Sequence, residues 1–258
     1  MPRFAANLST LFAEVPFLDR FALAREAGFS AVECQFPYMS DKGEIAAVLE
    51  ANELSMVLHN MPPGDRDAGE RGIGAVPGRA SEFRAGVDAA IEYARALDCP
   101  QVNCLAGVTP PGAGRRQLRS FFVENLKFAA ERLGEAGIRL LIEPINTKDV
   151  PGFFLDSVEL ANELVDEVGS TNLFIQYDLY HRQRDGGDLI GTFCDLKHRI
   201  AHIQIADVPG RHEPGTGEID FAEVFAALDR AGYDGWIGCE YFPIAGTFAG
   251  LGWTDGLF

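Results

Sequence analysis

The chain has no run approaching the roughly 18 apolar residues that a membrane-spanning helix needs. Its first ten residues, MPRFAANLST, lack the apolar stretch behind a basic segment that marks a secretion signal. There is no C-x-x-C pair among five cysteines, an odd number that argues against a disulfide framework and for reduced thiols in the cytoplasm. Cys34, Cys104 and Cys239 lie in apolar segments and are expected to be small core residues. No G-x-G-x-x-G follows the first strand-like run, which weakens a dinucleotide-binding reading. Positive charge is scarce, with 22 Lys and Arg against 38 Asp and Glu, a net charge of −16. The basic residues are scattered, so the stripe that a nucleic-acid surface requires is missing. An acidic chain that handles a small anion must instead gather a few cations locally.

No linker, charge block or low-complexity tract divides the 258 residues, so residues 1–258 read as a single domain. Short strand-like runs alternate with helical patterns: FAANLS, AVECQF, SMVLHN, QVNCLAG, RLLIE, LFIQYD, AHIQIA and GWIGCEY. Between them lie helical stretches, among them Glu82–Leu97, Gln117–Ala136, Val158–Val168, Leu189–His198 and FAEVFAALDRAG, with a short helix expected after the last strand. Parallel strands need crossover connections, so regular alternation implies a parallel sheet. Eight such units in this length predict an α/β fold, a closed (β/α)₈ TIM barrel, whose chemistry sits at the C-terminal ends of the strands.

Four polar residues occupy that position. Glu143 ends RLLIE, Asp178 ends LFIQYD, Gln204 interrupts IAHIQIAD and Glu240 ends WIGCE. A carboxylate in a doubly buried strand costs several kcal/mol unless it is paired or bound to metal. One alone reads as a hydrogen-bonded structural residue; four at matching places read as one site. Three carboxylates and an amide oxygen suit a single Mg²⁺ or Mn²⁺. Glu143 and Glu240 are left to flank a small substrate as a general acid–base pair, which points to aldose–ketose interconversion or epimerisation.

Histidines and loop cations supply the substrate contacts. His59 ends the third strand and His181 follows Asp178 in DLYH; both are expected to touch substrate. His202 shares the face of Gln204 two residues deeper, with packing and function both open, and His198 closes a helix in a structural role. The stretch NMPPGDRDAGERGIGAVPGR after strand three is too long for a plain connection and carries Arg66, Arg71 and Arg79. Arg71 is the expected partner of a substrate carboxylate. After strand seven, DVPGRHEPGTGEID offers Arg211 as a second substrate-directed cation, with Lys148 as a further source, and Glu218 is expected to cap the following helix.

The segments RFAANLSTLF, HNMPPGDRDAGERGI, EPIN, IQYDLYH, HIQIADVPGRHEPGTGEID and GWIGCEY together resemble the hydroxypyruvate isomerases of the xylose-isomerase-like barrel superfamily. The long loop and EPGTGEI are specific to that family and its near relatives. The resemblance implies reversible conversion of hydroxypyruvate to 2-hydroxy-3-oxopropanoate (tartronate semialdehyde) in glyoxylate metabolism. It makes Glu143 and Glu240 the catalytic pair and those two, Asp178 and Gln204 the metal ligands. The 2-oxo-tetronate isomerases are similar across most of the chain and remain the alternative. Ketose 3-epimerases typically carry histidine where this chain has Gln204. An apurinic endonuclease would need a histidine-rich multi-zinc site and a basic surface, and a sugar-acid-binding protein would have no use for two facing glutamates. Partners are therefore expected to be a small hydroxy-oxo acid, with no nucleic acid or membrane; homo-oligomerisation stays open.

Overall fold

A computed structural model describes residues 2–254, so the two ends of the 1–258 span lie outside the described residues. Eight parallel strands close into a barrel in sequence order, β1 (Arg3–Asn7), β2 (Ala31–Cys34), β3 (Ser55–Asn60), β4 (Gln101–Asn103), β5 (Arg139–Ile142), β6 (Leu173–Asp178), β7 (Ile200–Ile205) and β8 (Trp236–Cys239). The ring closes where Ala6 of β1 pairs with Cys239 of β8. Around it run α1 (Arg20–Glu26), α2 (Lys42–Ala51), α3 (Ala80–Ala96), α4 (Arg115–Glu135), α5 (Val158–Val168), α6 (Leu179–Asp185), α7 (Leu189–Leu196) and α8 (Phe221–Arg230), with a 3₁₀ segment at Phe248–Thr254 after the last strand. Apolar strand residues such as Val32, Leu140 and Ile203 are fully buried, as are Cys34, Cys104 and Cys239. None of the described helices is long and apolar enough to cross a membrane.

Local chemistry explains the helix limits. In α5 the Ser157 hydroxyl accepts from Leu160 N, and the helix ends on Gly169 in the left-handed conformation. The cap of α8 is Asp220, whose carboxylate accepts from Glu223 N; Glu218, expected in that role, precedes the helix and instead donates its backbone N–H to Val208 O. The two turns of α6 were not expected. They begin directly at Asp178, whose Oδ1 accepts from Tyr180 N. A strand-end carboxylate with three following residues on one side is thus turned into a helix cap, and its second oxygen faces the barrel mouth.

Two long loops form the rim. The segment from Met61 to Arg79 has no helix or strand and is pinned to the exit of β4 by Gly74 N to Leu105 O (3.2 Å) and Ala75 N to Ala106 O (2.7 Å). Gly72 lies so close to Leu105 that a Cβ would come within 2.4 Å of its carbonyl oxygen, and its φ is +100°. The loop after β7 winds around Asp207. Its Oδ2 accepts from Gly215 N and Gly217 N, and its Oδ1 from Val208 N and Ile219 N. Phe242 N then donates to Arg211 O at 2.8 Å, tying this loop to the one after β8 and fixing where Arg211 starts.

Candidate active site

Glu143, Asp178, Gln204 and Glu240 are all buried, each 5% exposed or less, at the C-terminal ends of adjacent strands β5 to β8. Glu143 Oε2 accepts from Asn103 Nδ2 at 2.9 Å, and Glu240 Oε1 accepts from Gln35 Nε2. Asp178, with Oδ1 committed to its helix cap, turns Oδ2 inward to lie 3.5 Å from His181 Nε2 and 3.4 Å from Arg211 Nη2. Arg211 Nη2 is also 3.6 Å from Glu240 Oε2, and the guanidinium lies over the Tyr180 ring at 5.0 Å. A cavity of about 180 Å³ opens above this group, with Glu143, His181, Gln204, Arg211 and Glu240 on its wall.

Three buried carboxylates around one guanidinium leave excess negative charge in a poorly solvated place. Burial, then the charges of Glu240 and Asp178, hold the Glu143 carboxyl well above the ordinary range. Burial likewise raises Glu240, to about 7; Arg211 and Gln35 pull it down while Asp178 and Glu33 push it up. For Arg211 burial opposes the charge, but the carboxylates outweigh it and keep the guanidinium charged. With no cation bound, both carboxyl groups on this cavity are shifted toward the neutral form, the direction a general acid needs.

The donor chemistry also fits a divalent cation. Glu143, Asp178 and His181 each bring one ligand atom within 4.8 Å of the others, all three buried, a cluster capable of coordinating a metal ion. His181 is pushed down to about 4 by burial and is neutral near pH 7. Its Nδ1 accepts from Asn146 Nδ2 at 2.6 Å. The Asn146 amide is held by Asp149, through Nδ2 to Oδ2 (3.0 Å) and from Asp149 N to Oδ1 (2.9 Å). That network leaves Nε2 facing the two carboxylates, a donor to them when it carries the proton and a ligand atom when it does not.

The remaining expected residues separate. Gln204 lies beside Asp178 in register, its Oε1 accepting from Gln176 Nε2 at 2.5 Å and its Nε2 donating to Glu33 Oε1 at 2.7 Å. Arg66 and Arg71 both line the cavity. Arg66 stacks on Phe36 at 4.9 Å, and Arg71 donates to the backbone oxygen of its neighbour Glu70. Arg79 points elsewhere, bound to Glu70 and Glu82. Lys148 is exposed and donates to the backbone of Arg184. His59 does not face the cavity: Leu58 and Asn60 line it, so the residue between them faces the barrel's outside. There the His59 ring packs edge-on to Tyr38, with its Nδ1 near the Tyr38 hydroxyl and Asn60 O. His198 is exposed after α7, away from the site.

Sequence reasoning passed over Glu33, Gln35, Asn103 and Gln176, which hydrogen-bond to three of the four polar residues, Glu143, Gln204 and Glu240. The signal for Glu33 was present. It is a carboxylate in the apolar run AVECQF, the same oddity that flagged Glu143 and Glu240. The three amides carry no such signal, because an amide in a strand is not costly enough to stand out.

Residues 21–256 match the family model described as xylose isomerase-like TIM barrel. The chain is 52% identical over 255 residues to hydroxypyruvate isomerase of Escherichia coli (strain K12), covering 99% of each chain. It is 49% identical to 2-oxo-tetronate isomerase of Cupriavidus necator, over 98% of this chain and 97% of that one. A crystal structure from Brucella melitensis, described as AP endonuclease, family 2, superposes with a TM-score of 0.97 at 48% identity, over 99% of this chain and 98% of that one. With near-full coverage at half identity and the barrel and acidic site in place, the chain belongs to the xylose isomerase-like TIM-barrel family and, within it, to the isomerase clade of the hydroxypyruvate and 2-oxo-tetronate enzymes.

Proposed function

We propose that the enzyme interconverts hydroxypyruvate and 2-hydroxy-3-oxopropanoate by proton transfer between Glu143 and Glu240. The observation that carries this reading is the pair of buried glutamates on the wall of one small cavity beside Arg211. One glutamate takes the proton from C3 of hydroxypyruvate, leaving an enediolate across C2 and C3. The other returns a proton to C2 while the hydroxyl proton passes from O3 to O2, leaving an aldehyde at C3 and a hydroxyl at C2. His181, with its proton on Nε2, donates to the developing oxygen charge, and Arg71, with Arg66 and Arg211, holds the carboxylate. The volume of about 180 Å³ suits a three- or four-carbon acid.

Glu143, Asp178, Gln204 and Glu240 would hold one Mg²⁺ or Mn²⁺, since their donors are oxygens. Such a cation supplies Lewis-acid polarisation of the substrate carbonyl and neutralises charge at the oxygens. We place the enzyme in the cytoplasm, where its unpaired thiols stay reduced.

A four-carbon substrate is the second reading, because the relatives of either kind differ by only three points of identity, 52% against 49%. The test is a side-by-side assay of hydroxypyruvate, a 2-oxo-tetronate and a ketose, on chelated enzyme and after Mg²⁺ or Mn²⁺ is added. The reading expects the highest kcat/KM on hydroxypyruvate, and only with metal. Preference for the tetronate would move the chain to the second reading, and full activity after verified metal removal would overturn the metal site.

A further inference from the structure

A further buried carboxylate, Glu33 on β2, is fully inaccessible at the wall of the same cavity, and beyond its bond to Gln204 it has been given no part in the chemistry. Its Oε1 accepts from Asn7 Nδ2 at 2.9 Å and from Gln204 Nε2 at 2.7 Å. Its Oε2 lies 2.6 Å from His202 Nε2, and His202 Nδ1 is 3.2 Å from Gln101 Nε2. With the Gln101 amide donating to Nδ1, the imidazole carries its proton on Nε2 and gives it to the carboxylate. The barrel wall is shaped for this group: at Gly238, directly across from Gln204 on β8, a Cβ would come within 2.3 Å of Glu33 Oε2. No larger residue fits there while the carboxylate stays where it is.

We infer that Glu33 is a positioning residue that fixes the amide of Gln204 so that its oxygen, and not its nitrogen, faces the metal site. The inference rests on the reading of Gln204 as a ligand. An amide side chain can be turned over with little change of shape, so something must choose its orientation. A carboxylate on one side makes that choice, because turning the amide would set the carbonyl oxygen of Gln204 against an anion at 2.7 Å. Gln204 Oε1 then faces β6, where Gln176 Nε2 uses one lone pair, and the second would be left for a cation shared with Asp178, the register partner of Gln204. The same contact explains why strand seven carries glutamine. The position needs a donor toward Glu33 and an acceptor toward the site, and a carboxylate there would face Glu33 as a like charge. Outer-shell partners of this kind typically carry about 10–100-fold in metal affinity.

The experiment is Mn²⁺ titration by calorimetry of the chelated full chain, comparing wild type, Glu33→Gln, Glu33→Asp, Gln204→Ala and Glu33→Gln/Gln204→Ala, each checked for a cooperative melt. Glu33→Asp keeps the charge but draws the acceptor back from Gln204. Both Glu33 variants should weaken Mn²⁺ binding by about 10–100-fold. Adding Glu33→Gln to Gln204→Ala should cost nothing further, since the residue acts through a side chain already removed. A simple charge effect would instead persist in the double variant. Wild-type affinity in Glu33→Asp, or fully additive losses in the double variant, would overturn the positioning role while leaving the ligand set intact. Unchanged affinity in Gln204→Ala would remove Gln204 from the ligand set, and the inference with it. Should Glu33→Gln fail to fold, Glu33→Asp decides alone.

Discussion

Replacing Arg211 with methionine tests the electrostatics of the site without metal. Among the described residues, its guanidinium is the one that bridges Asp178 and Glu240, at 3.4 and 3.6 Å. Both carboxylates have side chains no more than 5% exposed. Removing one partner of a buried ion pair typically costs 3–5 kcal/mol, because the remaining charge is stranded. The long contacts and the capacity of Glu240 to take up a proton place this site at the low end, about 3 kcal/mol. In a chain of this size that lowers the melting temperature by roughly 6–12 °C. The effect depends on pH with a definite sign. Glu240 sits at about 7 in the fold against an ordinary 4.5, so its proton uptake stabilises the fold fully below pH 4.5, and that contribution is lost as pH rises through 7. Without Arg211 the folded value rises further, and the variant loses more stability than wild type over the same interval. Thermal melts of chelated protein at pH 5 and pH 8 should therefore show a small deficit at pH 5 and the full one at pH 8. Equal deficits at both pH values, or none at pH 8, would refute Arg211 as the counterion of these carboxylates.

Other outcomes follow from the same geometry. Glu143→Gln and Glu240→Gln should each lower kcat by about 10⁴-fold or more in folded, metal-loaded enzyme, since general acid–base loss reaches that range and each group doubles as a ligand; near-normal turnover of Glu240→Gln would remove it from the mechanism. Arg71→Met should raise KM about tenfold or more, the equivalent of one charged hydrogen bond, whereas Arg79→Met, bound up with Glu70 and Glu82, should leave KM unchanged. Turnover of hydroxypyruvate in D₂O should place deuterium at C2 of the product, and complete retention of substrate hydrogen there would rule out proton transfer through the glutamates. His59, neutral in its apolar seat with a value of about 4 against 6.5, makes the fold lose stability as pH falls below 6.5, by up to about 3 kcal/mol near pH 4. The stability advantage of wild type over His59→Gln should shrink across that window, and a gap constant with pH would contradict the burial argument.

How far the site could be read in advance depended on what a buried group costs. Glu143, Asp178 and Glu240 stood out because a carboxylate in an apolar strand requires a compensating partner. The cleft amides Asn103, Gln35 and Gln176 did not, although the first two each hold one carboxylate oxygen, of Glu143 and Glu240, and the third holds the amide oxygen of Gln204. His59 was misread because a strand end places alternate residues on opposite faces, and only the closed barrel, with Leu58 and Asn60 on the cavity wall, established which one His59 occupies. The helix α6 went unseen because its start is the site aspartate itself, acting as a cap. Three arginines in one loop looked alike; the acids Glu70 and Glu82 took Arg79 and left Arg66 and Arg71 on the cavity.

Alternating strand and helix periodicity, set by local residue order, determined the eightfold barrel and put the acidic strand ends on one rim. Periodicity is local, so one chain contains it in full. The closeness of Arg211 to Asp178 and Glu240, and of Glu33 to Gln204, joins residues up to 171 positions apart. Those separations close only when the ring does, and the protonation of each carboxylate then follows from the neighbours and solvent that closure leaves it.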